Sequence, residues 1–251
     1  MQDGAVIEKG GVNFSAVHGK LPPAILSQVL QTPGTGLENK DFFATGVSVV
    51  IHPKSPMVPI IHMNVRYFEW SESVRWFGGG IDLTPIYVVE EDARHFHREL
   101  KKVCDKHNKD YYPRFRQWAD DYFFIPHRNE TRGIGGIFFD KLIDPPETVF
   151  EFVKDTGEAF APLYTHFMNK NKNIVYGEKE KRWQFLRRGR YVEFNLVYDK
   201  GTKFGLETNG RTESVLMSLP KEVNWLYNYS PPENSPEEKT VSLLKKGVSW
   251  V

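Results

Sequence analysis

Cysteine is almost absent from this sequence, because Cys104 is the only one among 251 residues. A single cysteine cannot form an internal disulfide, which is typical of proteins in a reducing compartment. It also excludes, within one chain, a cysteine-bound iron–sulfur cluster and a four-cysteine zinc site. This scarcity therefore removes most radical chemistries and most structural metal sites.

A charge excess and long apolar runs are also lacking. The chain has 33 Lys and Arg against 32 Asp and Glu, whereas nucleic-acid-binding domains usually carry a clear basic excess. No run of about 20 apolar residues occurs, so we expect no transmembrane segment. The balance predicts no nucleic-acid partner, and any attraction for anions must come from local placement of charge.

Repeats, low-complexity tracts and linkers are missing as well, which indicates a single domain. The first residues do not have the charged-then-apolar pattern of a secretory signal. A strand-like Ala5-Val6-Ile7 follows almost at once, so we expect that an upstream part of the protein is missing.

Alternating apolar and polar residues predict two early strands, Gly46 to His52 and Ile60 to Phe68, joined by a proline-punctuated loop. The same pattern predicts strands at Arg190 to Val197 and Thr202 to Thr208, with a hairpin turn at Asp199-Lys200-Gly201 between them. These hairpin-like connections favour antiparallel pairing.

Apolar residues at helical spacing predict helices at 90–106, 113–123 and 147–168. Ser235-Pro236-Glu237-Glu238 has the cap, first-turn proline and capping-box glutamate of a final helix. We therefore predict an α+β fold, a large antiparallel sheet flanked by helices on both sides.

The strongest functional signal is a polar face on the second strand. His62, Asn64 and Arg66 share one face, opposite the apolar residues of the same strand, and Ser48 and His52 form a weaker row on the first. A solvent-facing sheet surface would show the same alternation. Exposed strands usually carry Lys, Glu and Thr, however, whereas this set offers neutral donors and a guanidinium that suits carboxylates. We interpret 48–82 as one wall of an active site for an anion in a soluble enzyme.

Three glycines follow at 78–80, just before Asp82. They could let the backbone approach a ligand or form a bulge, but no phosphate-loop spacing surrounds them. Asp82 is either a catalytic carboxylate or a cap or turn residue, and the sequence alone favours the cap.

Histidines and a basic turn offer further candidates. His95 and His97 lie two apart on a predicted helix, which is not the spacing of helical zinc ligands. His52, His62, His97 and His127 could converge on a metal, although a structural role is favoured for each. Gly210-Arg211 lies in a turn that would present backbone donors and a guanidinium together.

Taken in order, these segments resemble the oxygen-dependent coproporphyrinogen III oxidases across essentially the whole chain. The matching stretches are GVNFS at 11–15, GVS at 46–48 through His52-Pro53, HMNVR at 62–66, WFGGG at 76–80, DLTP at 82–85, DDYF at 120–123, HRNETRGIGG at 127–136, RRGRYVEFNLV at 187–197 and GRTES at 210–214.

The resemblance implies an enzyme of haem biosynthesis. Its reaction converts two propionates of coproporphyrinogen III to vinyl groups, with loss of carbon dioxide and with molecular oxygen as oxidant, and gives protoporphyrinogen IX. It implies a homodimer with an antiparallel sheet and helices, no required cofactor, and a possible divalent cation. We expect a cytoplasmic protein, or one of the mitochondrial intermembrane space if a targeting segment is missing upstream.

The resemblance also implies roles for particular residues. His62 matches the position of a proton donor, Asp82 a motif aspartate suited to the pyrrole N–H groups, and Arg66 completes the catalytic set. Substrate-contacting positions match Ser48, Asn64, Val65, Arg66, Asn209, Gly210 and Arg211. His52, His62, His97 and His127 match positions assigned to a divalent cation.

Two departures from the family pattern stand out. Asn209 replaces a glycine usual in the Gly-Gly-Arg turn, although asparagine tolerates positive φ. The family also has an N-terminal helix and a glycine-rich segment before the part equivalent to Asp3. We therefore interpret 1–251 as a coproporphyrinogen III oxidase domain without its N-terminal segment.

Overall fold

The fold is built on one antiparallel sheet. The computed structural model describes residues 1–20, 41–71, 74–143, 145–207 and 210–251. The five strands of the sheet stand side by side in the order β1-β2-β3-β4-β7. They are β1 (Ile7–Lys20), β2 (Asp41–Pro53), β3 (Ile60–Ser71), β4 (Val74–Thr84) and β7 (Gly136–Leu142). The short strands β5 (Phe124–Ile125) and β6 (Glu130–Thr131) form a separate pair.

Helices account for most of the remaining described chain. They are α1 (Glu90–His107), α2 (Tyr111–Tyr122), α3 (Pro146–Asn171), α4 (Glu178–Val197), α5 (Lys200–Glu207), α6 (Thr212–Val215) and α7 (Pro236–Leu243), with 3-10 turns at Pro126–Arg128 and Leu216–Ser218. None of the helices in these described ranges combines the length and the apolar content needed to cross a bilayer.

The two faces of the sheet pack against different helices. On one face, Val49, Met63 and Ile81 pack with buried residues of α1, α2 and α3, such as Phe96 and Phe152, in the main core. On the other face, the apolar cover comes from α4, whose Trp183, Leu186 and Tyr191 pack against Val50 and Ile60. Helices therefore cover both faces, and the predicted α+β class is confirmed.

Strands β2 and β3 confirm the alternation at 46–52 and 60–68. Their register pairs Ser48 with Asn64 and Gly46 with Arg66, so the predicted polar rows adjoin on one face. The predicted helices at 90–106, 113–123, 147–168 and after Ser235 are also present, within a few residues of the expected ends. Gly78, Gly79 and Gly80 lie inside β4, and the pairing of β4 with β7 has a register irregularity between Phe77 and Gly79, which agrees with the bulge that the glycines could form.

The strands predicted at 190–197 and 202–208 are wrong where the structure describes them, because 202–207 belong to the helix α5 and Thr208 lies outside the described residues. Residues 190–197 form the last two turns of α4, in which Tyr191, Val192, Phe194 and Asn195 are all buried. A helix that is buried on most sides shows no single apolar stripe, so its sequence resembled an alternating strand. The predicted hairpin turn is instead a helix start, because Asp199 accepts hydrogen bonds from Thr202 N and Oγ1, both at 2.8 Å.

Candidate active site

A buried ion pair between Asp82 and Arg132, with His62 beside it, lies on the α4 side of the sheet. His62 and Asp82 are direct cross-strand partners on β3 and β4, and His62 Nδ1 lies 2.7 Å from Asp82 Oδ1. Arg132 Nη2 donates to both carboxylate oxygens of Asp82, each at 2.7 Å. We refer to His62, Asp82 and Arg132 as the triad. Asp82 is therefore neither a cap nor a turn residue, which corrects the reading that its sequence favoured.

Burial of Arg132 is stabilised by aromatic rings as well as by the carboxylate. Its guanidinium carbon lies 4.4 Å from the ring centroid of Phe123, 4.6 Å from that of Tyr191 and 4.7 Å from that of Phe194. Its Nη1 donates to Asn195 Oδ1 at 2.8 Å. Cation–π contacts and hydrogen bonds of this kind offset the cost of removing a guanidinium from water.

The protonation state of Asp82 follows from these contacts. Burial alone would raise the pKa of this carboxyl, but Arg132 and His62 outweigh it and hold the pKa below its usual range. Asp82 is 1% exposed and Arg132 2%, whereas the His62 side chain is 22% exposed. An ionised Asp82 thus lies beneath His62, and His62 is the triad member that a ligand can reach.

Arg66 forms a second cluster on the same strand face. Its Nη1 donates to Asn64 Oδ1 at 2.8 Å, and its Nη2 donates to Asp140 Oδ1 at 2.9 Å. The guanidinium lies over Gly78 of the next strand, where a Cβ would come within 2.5 Å of Asp140 Oδ1 and 2.9 Å of Arg66 Nε. The first glycine of the triplet therefore makes room for an arginine. The Arg66 side chain is 37% exposed, so its remaining hydrogen-bonding capacity faces solvent.

The other predicted substrate-contacting residues divide into three groups. Ser48 lies beside Asn64 on the site face and is partly exposed. Val65 packs its side chain against the main core on the opposite face, so only its backbone could meet a ligand there. Gly210 and the exposed Arg211 precede α6, and Asn209 lies outside the described residues.

The four histidines predicted as possible metal ligands have separate partners. His52 is buried and its Nε2 donates to Ser218 O at 2.8 Å, while burial lowers its pKa to about 3. His97 is buried between Tyr112 OH and Ile134 O on the core side. His127 contacts Tyr198 OH and Glu193 at the surface. Across the part of the chain that the structure describes, no three His, Cys, Asp or Glu side chains are arranged to hold a metal ion. These histidines do not fit a shared cation site.

An aromatic wall borders the triad. The rings of Phe123 and His62 meet edge to face with centroids 6.3 Å apart. Tyr122 and Phe138 stack with centroids 4.1 Å apart, and Phe138 comes from the site face of β7. Flat apolar surface beside charged groups suits a ligand that is both anionic and partly apolar.

Sequence reasoning missed Arg132, Asp140 and Asn195 as site residues. Arg132 lies 50 positions from Asp82 and Asp140 lies 74 from Arg66, so only the fold brings each pair together. One indirect signal existed for Asp140, because a glycine opposite a large side chain on a neighbouring strand indicates close approach.

The fold and the site define an α+β protein with a polar sheet face that is suited to an anionic ligand. Comparisons with known proteins give the family. The family model described as coproporphyrinogen III oxidase matches residues 1–250. Over its full length the chain is 54% identical to the oxygen-dependent coproporphyrinogen-III oxidase of Drosophila melanogaster and to the mitochondrial one of Rattus norvegicus, and 53% identical to that of Homo sapiens.

The chain belongs to the coproporphyrinogen III oxidase family. It spans 66% of the length of the Drosophila relative, 59% of the rat relative and 57% of the human relative. The resemblance inferred from the motifs is thereby confirmed.

Proposed function

We propose that this chain catalyses the oxygen-dependent oxidative decarboxylation of coproporphyrinogen III to protoporphyrinogen IX in haem biosynthesis. The observation that carries the proposal is the presence of an accessible guanidinium, Arg66, and an accessible imidazole, His62, on one strand face of a chain that belongs to this family. The names of its relatives supply molecular oxygen as the co-substrate.

Each half of the reaction balances without a further reagent. A propionic acid side chain, –CH2–CH2–COOH, and one O2 give a vinyl group, CO2 and H2O2. The C–C bond to the carboxyl group breaks, one hydrogen leaves the carbon next to the ring, and oxygen is reduced by two electrons. The protein must therefore hold a carboxylate, manage one proton and exclude competing water.

Arg66 is the proposed carboxylate ligand. Its guanidinium is oriented by Asn64 and Asp140 before any ligand arrives, and an oriented guanidinium can donate two parallel hydrogen bonds to a carboxylate. Ser48, the backbone at Val65, Asn209, Gly210 and Arg211 are the proposed contacts to the other carboxylates of the substrate.

His62 is the proposed proton donor and acceptor. With Nδ1 held by Asp82, its Nε2 is the nitrogen directed away from the buried carboxylate. Asp82 was first expected to meet the pyrrole N–H groups itself. Since both of its oxygens are already bonded, we propose that it is a positioning residue that acts through His62, while Arg132 keeps it ionised.

We also propose that the protein works as a homodimer. Val12, Phe14 and Phe43 project from the outer strands on the face opposite the site and are 61%, 74% and 39% exposed. An apolar surface of this kind is typical of a face that another chain covers. Sedimentation equilibrium of the protein and of a Phe14→Glu variant tests this, because a monomeric protein would contradict it.

The cellular compartment is a further proposal. The lone buried Cys104 is compatible with a reducing cytoplasm, whereas the mammalian relatives are named mitochondrial. We propose the cytoplasm, with the mitochondrial intermembrane space as the alternative. Fractionation of the source cells distinguishes the two.

Two rival functions make different predictions. A non-haem iron oxygenase would use two histidines and a carboxylate on Fe(II), and would lose activity after chelation. A carrier of anionic tetrapyrroles would bind coproporphyrinogen without consuming oxygen. Aerobic incubation with coproporphyrinogen III, with product, oxygen and CO2 measured, tests the proposal. Binding without turnover would favour the carrier.

A further inference from the structure

A continuous line of buried and partly buried hydrogen bonds leaves the triad on the side away from His62. Arg132 Nη1 donates to Asn195 Oδ1 at 2.8 Å, and Asn195 Nδ2 donates to Ser218 Oγ at 3.3 Å. Ser218 Oγ in turn donates to Val215 O at 3.3 Å. Asn195 is 3% exposed and Ser218 is partly exposed, so the amide that links the two ends of the line is itself shielded from solvent. The line joins the triad to the end of the segment 210–218.

The direction of every bond in this line is fixed by chemistry. Arg132 can only donate, so Asn195 must turn its carbonyl oxygen toward Arg132 and its NH2 group toward Ser218. Arg132 also donates to Asp82. The ionised Asp82 carboxylate can only accept hydrogen bonds, so His62 Nδ1 must be the donor in the bond between them. The line therefore favours the imidazole form whose free nitrogen is Nε2, the one that faces the site.

The segment 210–218 rests on the site side of the outer strands. Asn13 Nδ2 donates to Ser214 O at 3.1 Å, and His52 Nε2 donates to Ser218 O at 2.8 Å. Gly11 faces Met217 so closely that a Cβ there would lie 2.1 Å from the Met217 sulfur. The segment is therefore anchored by β1, β2 and α4, while its first residues, Gly210 and Arg211, are proposed substrate contacts.

We propose that Asn195 is a positioning residue for the reaction, because it couples the anchored 210–218 segment to the Arg132–Asp82–His62 triad. The inference rests on the proposed function, and it adds a buried residue that is not among the proposed substrate contacts. The reaction requires that the substrate carboxylate be bound and that the His62 imidazole be oriented. Both would then depend on the buried side-chain amide of Asn195.

The direct test is Asn195→Leu, compared with Asn171→Leu as a matched control. Both asparagines are buried, 3% and 5% exposed, and both donate one side-chain hydrogen bond at 3.3 Å. Asn171 ends α3, away from the site face. We expect Asn195→Leu to lower kcat/KM by about 10- to 100-fold. The His62 imidazole would be misoriented, which lowers kcat, and the 210–218 segment would be displaced, which raises KM. The control loses stability but keeps kcat and KM.

Two milder variants keep the inference testable if Asn195→Leu does not fold. Ser218→Ala removes the bond from Asn195 to the segment and the bond from Ser218 to Val215 O within it, but leaves the bond from Arg132 to Asn195, so we expect a raised KM with kcat nearly unchanged. Asn195→Asp keeps an acceptor for Arg132 and adds a negative charge near the triad. Because a carboxylate cannot donate to Ser218, we expect this variant to raise KM as Ser218→Ala does while it keeps the bond from Arg132.

The outcomes separate this inference from the function on which it rests. If the unaltered protein does not turn over coproporphyrinogen III, the proposed function fails. If it turns over and the Asn195 variants match the Asn171 control in both kcat and KM, Asn195 has only a structural role and the inference is overturned.

Discussion

Asp82 and Arg132 form an ion pair whose members are almost completely buried, so each depends on the other for its charge. Asp82→Asn would leave the Arg132 guanidinium in an apolar site with no compensating carboxylate. We expect a loss of about 3–5 kcal/mol in the free energy of unfolding, together with loss of turnover. Urea denaturation and an activity assay below the unfolding midpoint measure both. A stable, fully active Asp82→Asn protein would contradict the role given to the triad.

Arg66 is exposed enough to bind a ligand and contributes little to the core. We expect Arg66→Lys to raise KM and lower kcat/KM by about 10- to 100-fold, because lysine is a point charge that lacks the planar guanidinium. The free energy of unfolding should change by less than about 0.5 kcal/mol. Arg94→Lys, in an exposed ion pair with Glu90, is the matched control and should leave kinetics unchanged. Equal effects of the two substitutions would exclude Arg66 as a carboxylate ligand.

Glu193 provides a pH-dependent test of the surroundings of the site. Burial alone would raise the pKa of Glu193. Hydrogen bonds from Arg128 and His127, together with Arg190 and Trp225, lower this pKa from 4.5 to about 2. A carboxyl whose pKa is lower in the folded than in the unfolded protein stabilises the fold at pH values above the unfolded-state pKa. That stabilisation is lost as the pH falls through the folded-state pKa.

The unaltered protein should therefore be more stable than Glu193→Gln at pH 7, and the gap should narrow between about pH 4.5 and pH 2. Urea denaturation of both proteins at a series of pH values measures the gap. A gap that stays constant across this range would mean that the Glu193 carboxylate does not depend on its cationic neighbours.

Strand β4 shows how one element shapes the site. A methyl group at Gly78 would collide with Asp140 and with the Arg66 guanidinium, so Gly78→Ala should displace Arg66 and raise KM. Gly157→Ala is the matched control, because nothing lies within 4 Å of a Cβ there in the middle of α3. This control should keep normal kinetics and gain up to about 1 kcal/mol of stability. Unchanged KM in Gly78→Ala would show that the guanidinium does not need this gap.

The elements that were predictable are those whose pattern is local. Alternation at 46–52 and 60–68 and helical spacing at 90–106 depend on near neighbours and on one buried face, and the structure has these elements. The strand predicted at 190–197 was wrong because Tyr191, Val192, Phe194 and Asn195 are buried on several sides of α4, which leaves no single apolar stripe in the sequence. Its valine and tyrosine residues also favour strands intrinsically, and that preference was overridden by packing.

The site was predictable only in part, for the same reason. His62, Asn64 and Arg66 could be grouped from one strand, since a period of two places them on one face. Arg132 and Asp140 come from distant segments, and nothing local to either residue marks its partner. The polar face of β3 could thus be predicted from the sequence. The charged side chains that orient His62 and Arg66 could be identified only from the fold.

At the scale of the whole molecule, the sheet separates two tasks. One face supports the main core with α1, α2 and α3, which stabilises the strands from behind. The other face carries the triad and Arg66 and is partly covered by α4, with the 210–218 segment anchored at the β1 side. A rigid sheet beneath charged groups keeps them oriented without help from the ligand.

The measurement that tests the central claim most directly is turnover of coproporphyrinogen III by metal-free protein, under air and under argon. We expect protoporphyrinogen IX under air, with one O2 consumed and one CO2 released for each propionate converted, and no product under argon. Arg66→Lys serves as the internal comparison and should turn over more slowly under air. Folded, metal-free protein that forms no product under air, or forms as much under argon, would contradict the account.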